Sequence, residues 1–238
     1  MKRVIYTALF TDDLDYLYGD VIHYKHDKGD IDYVCYTNSP HLKSDFWDVR
    51  HMDLIEGGGR WTARYCKTSP QVLLPEYDEW LWMDNEIYFN YDPDDLFNTH
   101  LAKNDLAVHQ HCDRICIYDE AVAANGRMPR RDPAHMLMDQ VATYRDEGYP
   151  TGIGLYENGI LYRKNNEAVR TFNKLWWKET RRWNTEDQIS MMYALYNTEP
   201  KLMVNPLKQT FVSHQYTNSY LPLTDQFACL PRSNRKVG

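Results

Sequence analysis

The sequence predicts a single α/β domain built on an open, mostly parallel sheet, and three observations predict it. Short apolar, β-prone runs alternate with longer stretches of helical periodicity, the rhythm of successive β-α-β units. The early runs end in polar or acidic residues, as strands do when their carboxyl ends open on a ligand crevice. The 238 residues suffice for one large domain with a proper core and fall short of two.

Val4 to Phe10 is the first such run and closes on Thr11, Asp12 and Asp13. Tyr33 to Thr37 is the second and closes on Asn38, Ser39 and Pro40. Both read as interior parallel strands with roughly one helix of aspartate- and tyrosine-rich chain between them. A helix follows the glycine triplet 57–59, read as flexible, and carries Arg60, Arg64 and Lys67 at helical spacing, so one face is basic. Pro70 and Pro75 break that pattern before Asp78 to Met83 supplies the next strand.

Leu106 to His109 is another apolar run. The HQHCDRICIYDEA that overlaps its end mixes charged and apolar residues like a segment lining a site. Residues 132–147 read as a helix with Asp132 at the N-cap and Pro133 at the first helical position. The glycine-rich GYPTGIGLYENGILYR, 148–163, leads into a strand at GILYR. Helices follow over 166–182, with Phe172, Leu175 and Trp176 at core spacing, and over 187–196. The remaining chain reads as loop-rich and polar, with no internal repeat.

A net charge of −7 argues against bulk electrostatic attraction to nucleic acid or anionic lipid and points to small or neutral partners. The tail after residue 197 is nevertheless basic, with Lys201, Lys208, Arg232, Arg235 and Lys236 against Glu199 and Asp225, which keeps contact with DNA open. The 19 tyrosines and seven tryptophans offer flat faces that either stack on sugars and bases or fill a core. Cys35, Cys66, Cys112, Cys116 and Cys229 form an odd set without a CxxC pair. That disfavours zinc and fits free thiols in a reducing compartment, the cytoplasm. The amino-terminal MKRVIYTALFTDD breaks at Thr7 and meets acid at Asp12, so it reads as neither a signal peptide nor a transmembrane segment.

The chemistry concentrates in EYDEWLWMDNEI, where Asp84 and Glu86 follow the run Trp80 to Met83. Two residues apart in an extended or turning segment, their oxygens can converge on one hard divalent cation, which also takes substrate phosphates. Acids at strand ends also occur without any such role. The basic helix face can meet a diphosphate or stay solvated. His214, in FVSHQY, can complete a metal shell or be an ordinary packed histidine.

ARYCKTSPQVLLPEYDEWLWMDNEI, then HCDRICIYDEA, EGYPTGIGLYENGILYRKNN, WWKE and EDQISM, together resemble the glycosyltransferase-like family of plant mucilage and turgor-regulation proteins, also present in bacterial and phage polysaccharide loci. The match runs in order over roughly residues 3–197. The resemblance implies a single GT-A, Rossmann-like domain, with a mixed, mostly parallel sheet flanked by helices. Such a domain binds a nucleotide-diphosphate sugar, here expected to be a UDP-sugar, with Mn²⁺ or Mg²⁺. It assigns 1–100 to the nucleotide-sugar half, 101–197 to the acceptor and sugar half, and 198–238 to a lid or tail. Tyr6, Thr7, Ala8 and Thr37 then look like the nucleotide pocket, Arg64 and Lys67 like the family's RxxK, and Asp84 like its first acid. Asn85 and Glu86 depart from the usual D-G-N. Glu186, Asp187 and Gln188 keep the last two residues of R-D-Q and lose the arginine.

The implied reaction moves a sugar to an acceptor hydroxyl, with the metal on Asp84, Glu86 and His214 and the nucleotide sugar also met by Asn85 and Gln188. Asp187 is expected to bind sugar hydroxyls or act as a base, or else to serve only as a helix N-terminal acid. Glu120 and Glu157 are the further catalytic candidates, with His111 and Arg114 near Glu120, and Tyr156, Asn158 and Trp177 as possible sugar-lining residues. Set beside secretory-pathway relatives, a chain read as lacking a membrane anchor is expected in a bacterial or phage-infected cytoplasm, where acceptors include glycans, lipid-linked glycans, proteins and modified DNA bases. The same carboxylates would also suit a metal-dependent phosphoesterase or a non-catalytic nucleotide- or sugar-binding module.

Overall fold

The computed structural model describes residues 1–12, 28–85, 87–89, 92–111, 113–126, 134–183, 186–207 and 212–214. In chain order the strands are Arg3–Leu9 (β1), Ile31–Thr37 (β2), Asp48–His51 (β3), Glu79–Met83 (β4), Ile87–Phe89 (β5), Leu106–Gln110 (β6), Tyr156–Lys164 (β7), Val204–Leu207 (β8) and Val212–His214 (β9). The helices are Gly59–Thr68 (α1), Pro70–Leu73 (α2), Pro93–Leu96 (α3), Ile117–Asn125 (α4), Ala134–Asp146 (α5), Glu167–Trp183 (α6) and Asp187–Asn197 (α7), with a π-helical turn at Phe97–Leu101.

Seven strands form one sheet in the order β3-β2-β1-β4-β7-β6-β8, and β5 pairs with β9 in a separate ribbon. β1 runs parallel to β2 and to β4, and β2 runs parallel to β3. β7 is antiparallel to both its neighbours, and β8 is parallel to β6. The expected mixed, mostly parallel sheet flanked by helices is therefore what the chain builds. β4, EWLWM, is buried along its whole length, as strands covered on both faces are. Its side chains alternate between two cores. Val4, Tyr6, Ala8, Trp80 and Trp82 pack on one face with residues of α4 to α7, and Ile5, Leu9, Leu81 and Met83 pack on the other.

Because β7 opposes β4, its start rather than its end lies beside the carboxyl end of β4, with Met83 opposite Ile160. The β6–β7 register shifts between Val108 and His109, whose partners are Leu161 and Glu157. That irregularity leaves residues 158–160 of β7 outside the β6 register, next to the acidic turn after β4.

Several expectations change on the structure. The glycine triplet is a fixed feature and not a hinge. Gly57 and Gly58 hold φ of 102° and 86°, which side chains other than glycine's avoid. A Cβ on Gly57 would stand 2.0 Å from Trp61 Cδ1. The N–H of Gly59 donates to Asp12 Oδ1 at 2.7 Å, satisfying one of the open amides at the start of α1. HQHCDRICIYDEA contains a helix, α4, because Ile117, Tyr118 and Ala121 are buried while Asp119 and Glu120 lie in the first turn, where acids favour a helix. The tail contributes β8 and β9, whose short, polar sequences carry no strand alternation. The helix expected between the first two strands, the Asp132 and Pro133 start, Cys112 and the chain after 214 lie outside the described residues. Among the described cysteines Cys35, Cys66 and Cys116 are free and buried. Among the described residues no helix is long and apolar enough to cross a membrane.

One buried side chain ties three of these elements. Arg163 of β7 is fully buried. It donates to Asn173 Oδ1 of α6 at 2.6 Å, to the Lys67 carbonyl of α1 at 2.6 Å and to the Tyr6 hydroxyl of β1. Tyr6 in turn donates to the same Lys67 carbonyl at 3.1 Å, so an orphan acceptor at the end of α1 is doubly satisfied. Burial holds the Arg163 guanidinium below its usual range, which makes each of its acceptors count. Tyr6→Phe removes one acceptor of a buried cation without leaving a cavity, and we expect a loss of about 2 kcal/mol. Urea unfolding, read as a lower midpoint at unchanged slope, measures it.

Candidate functional site

Asp84 is the first residue past β4. Its N–H donates to the Gly159 carbonyl at 2.8 Å, and its own carbonyl accepts from Ile87 N at 3.0 Å. The β4–β7 ladder therefore extends one residue further and fixes where the carboxylate starts. Asp84 Oδ1 accepts from the Trp82 indole at 2.8 Å and from Lys67 Nζ at 3.3 Å. Trp82 is itself held edge-on against Tyr6, with ring centroids 5.2 Å apart.

Lys67 reaches this point from the last turn of α1. Its ammonium lies 3.3 Å from Asp84 Oδ1, 3.2 Å from Asp187 Oδ2 and 3.0 Å from Asn158 Oδ1. Three acceptors thus meet the three donors of one ammonium. Asn158 closes the ring by donating from Nδ2 to Asp187 Oδ2 at 3.2 Å. Asp187 opens α7, so the acid favoured at a helix start is also the ligand of a buried lysine. Next to it, Gln188 Nε2 donates to the Tyr156 carbonyl at 2.6 Å. α7 thereby grips β7 on both sides of Glu157.

Burial alone would push the Lys67 ammonium down, but Asp187 and Asp84 outweigh it and hold it above the usual lysine range. Burial would likewise raise the Asp187 carboxyl, but Lys67, Arg64 and Arg60 hold it below the usual carboxylate range. Asp187 therefore stays ionised and is a weak proton acceptor. Arg64 is buried, whereas Arg60 is exposed, so of the basic helix face Arg64 and Lys67 turn inward and Arg60 meets solvent.

The residues expected around the nucleotide occupy the ends of β1 and β2. Tyr6, Thr7, Ala8 and Thr37 are buried. Tyr6 spends its hydroxyl on Lys67 and Arg163, and Thr37 Oγ1 accepts from Ser39 N at 3.0 Å. Thr7 Oγ1 is buried without a hydrogen-bond partner among the described residues. Asn85 is half-buried in the turn after Asp84. Trp177, expected near a sugar, packs edge-on to Trp61 and Tyr65 at 5.8 and 5.3 Å.

Of the expected metal ligands, Asp84 keeps an outward oxygen. Its side chain is 36% exposed, and Oδ2 takes no hydrogen bond among the described residues. A carboxylate oxygen left open in this way is the kind of ligand that a hard cation takes. Glu86 lies outside the described residues. His214 is placed by its backbone, opposite Ile87 in the β5–β9 pair. Among the described residues no group of three or more His, Cys, Asp or Glu is arranged to hold a metal.

Glu120 and Glu157 are drawn together by His111. Glu120 is fully buried, accepts from Arg114 Nε at 2.5 Å, and lies 3.5 Å from His111 Nε2. Glu157 Oε1 lies 3.7 Å from the same nitrogen, and its side chain is 32% exposed. Sequence reasoning names His111 and Arg114 only as neighbours of Glu120. It gives no role to Trp82, Arg163 or Asp12, since no spacing signals which buried groups orient a site.

Residues 60–218 match the TOD1/MUCI70, glycosyltransferase-like domain. The chain belongs to this family. The TOD1/MUCI70 match begins at Arg60 and so takes in nearly all of α1, Asp84, Glu157 and Asp187. No curated protein matches the chain. Solved structures similar to it include the WbbM bifunctional glycosyltransferase, with a TM-score of 0.47 and 13% identity over 87% of this chain and 38% of that one. Glycosyltransferase GlyE of Streptococcus pneumoniae TIGR4 gives 0.44 and 14% over 87% and 45%. Mouse xyloside xylosyltransferase 1 gives 0.45 and 8% over 87% and 85%. The chain thus spans less than half the length of the first two.

Lys67→Met leaves two half-buried carboxylates facing an apolar side chain. We expect a loss of about 3–5 kcal/mol near neutral pH. The stability that the lowered Asp187 contributes is present above the unfolded carboxyl value, about 3.9, and is lost as pH falls through its lower folded value. The raised Lys67 contributes below about pH 10.4 and stops contributing as pH rises through its higher folded value. Unfolding curves of both proteins across pH should therefore show the widest gap in the neutral range, narrowing at acid and alkaline extremes.

Proposed function

We propose that the chain transfers a sugar from a nucleotide-diphosphate sugar to an acceptor hydroxyl, in a reaction that depends on a divalent cation, Mn²⁺ or Mg²⁺. The observation that carries this reading is the Lys67 ammonium set between Asp84 and Asp187 at the carboxyl end of β4. Membership of a glycosyltransferase-like family supports it. Breaking the anomeric bond leaves negative charge on the departing diphosphate, and fixed positive charge at that point lowers the barrier. A divalent cation bound by Asp84, with Glu86 and His214 as the further ligands, would supply that charge at the leaving group.

The chain's own residues account for the rest. Lys67 holds the Asp84 carboxylate so that Oδ1 is committed and Oδ2 is presented outward. Asp187, ionised and hydrogen-bonded by Asn158, accepts hydrogen bonds from sugar hydroxyls and does not take their protons. Arg64, buried on α1 with Lys67, adds positive charge that acts on Asp187. Thr7, Ala8 and Thr37 end the strands against which the base of the nucleotide rests. The acceptor is a hydroxyl of a glycan, lipid-linked glycan, protein or modified base, and the buried free thiols suit a reducing cytoplasm.

The test is thermal unfolding against a panel of nucleoside diphosphates and nucleotide sugars with and without Mn²⁺, for the wild type and Asp84→Ala. Ligand that binds only the folded state raises the midpoint with occupancy. A rise that needs both metal and one nucleotide, disappears in Asp84→Ala, and accompanies release of the nucleoside diphosphate is the expected result. No rise with any donor would overturn the reading, and binding without release would remove its catalytic part.

A further inference from the structure

We propose that Glu157 is the proton acceptor for the incoming hydroxyl, and that buried His111 is the positioning residue that holds it. This rests on the transferase reading above. Glu157 is fixed between two grips of α7: Gln188 on the Tyr156 carbonyl at 2.6 Å and Asp187 on Asn158 at 3.2 Å. It therefore stands within one residue of the Lys67 cluster, but its own carboxylate makes no contact with that cation. Its Oε1 is buried with no hydrogen-bond partner among the described residues, while a third of the side chain is exposed. A carboxylate with one buried, unneutralised oxygen and an open flank is chemically unlike Asp187, which is neutralised by lysine, and unlike Glu120, which is enclosed.

The orientation of the His111 ring is set by the chain. Nδ1 accepts from the backbone N–H of Asp113 at 3.0 Å and of Arg114 at 3.1 Å, which turns the opposite edge of the ring to the carboxylates. That Nε2 edge faces Glu120 Oε2 at 3.5 Å and Glu157 Oε1 at 3.7 Å. Arg114 Nη2 sits 2.9 Å from the same nitrogen, so guanidinium and imidazole edges converge on Glu120. Glu120 is fully occupied by this packing and reaches no substrate. Its work is to fix Arg114 and the ring, and the ring then fixes Glu157. The separation at Glu157 is longer than a hydrogen bond, as such contacts often are before substrate is present.

In the step itself the acceptor O–H bond breaks and its proton passes to the Glu157 carboxylate. The freed oxygen pair forms the new bond to the anomeric carbon, and the bond from that carbon to the diphosphate breaks with its pair leaving on the diphosphate. Atoms and charge balance without a further reactant.

The experiment uses the full chain with Mn²⁺ and, in separate reactions, UDP-glucose, UDP-galactose and UDP-N-acetylglucosamine, with water as acceptor and UDP release as readout. Glu157→Ala is expected to keep the wild-type thermal shift with UDP and Mn²⁺ and to lose UDP release about 100-fold or more, the range of general base catalysis. Added formate should restore part of that loss. His111→Leu should lower kcat with donor KM unchanged, and His111→Gln, which keeps an N–H at the same end, should recover part of it. Wild-type rates in Glu157→Ala, or a loss that formate does not restore, would overturn the proton-accepting role. A rise in donor KM without a fall in kcat for His111→Leu would overturn the positioning role. If the wild type itself shows no shift with UDP and no UDP release, the transferase reading fails and this assignment fails with it. A defect confined to turnover, with UDP binding intact, speaks to Glu157 alone.

Discussion

A single buried ammonium organises the site. Lys67 Nζ bonds directly to both Asp84 and Asp187, and without it the two carboxylates would lose the one contact that they share. Removing charge from water is expensive unless geometry and hydrogen bonds compensate. Here they do, because every ammonium donor has an acceptor and Asn158 serves as both acceptor and donor within the ring. The lysine can be placed only because its backbone is immobilised: Tyr6 and Arg163 hold its carbonyl from β1 and β7. The charged site is thus an outgrowth of the core, and the two cannot be separated in a stability experiment.

This dependence also gives neighbouring carboxylates different chemistry. Asp187 is ionised and neutralised, Asp84 shares one oxygen with Lys67 and Trp82, Glu120 is enclosed by Arg114 and His111, and Glu157 alone combines a buried, unpartnered oxygen with exposure. Four acids of similar intrinsic strength are sorted by surroundings alone. The sorting follows from topology. Asp84 follows a parallel strand and Glu157 begins an antiparallel one, so residues 73 positions apart in the chain share one edge of the sheet.

Much of that edge was legible in the sequence. The apolar run Trp80 to Met83 followed by Asp84 marks a strand end, and Lys67 at helical spacing from Arg64 marks a shared face; both readings hold in the structure. α6 and α7 were legible within a residue or so because their apolar spacing is regular. α4 was not, since its short buried face is interleaved with Asp119 and Glu120, and the direction of β7 was not, since strand sense leaves no trace in side-chain alternation. The roles of Arg163, Trp82 and Asn158 were hidden for a related reason. Each acts through a partner roughly 2 to 160 positions away, and one sequence carries no record of such pairings.

The same strand grips Lys67 at both ends. Arg163 of β7 holds its backbone carbonyl, and Asn158 of β7 holds its ammonium. A slip of β7 by one residue would turn both side chains to the opposite face, leaving an arginine without its acceptors and a lysine without its amide. Most misaligned strands lose only packing; this one would also strand two charges in the core. β7 therefore carries its own proofreading, and the alignment that makes the fold correct is the alignment that assembles the charge cluster.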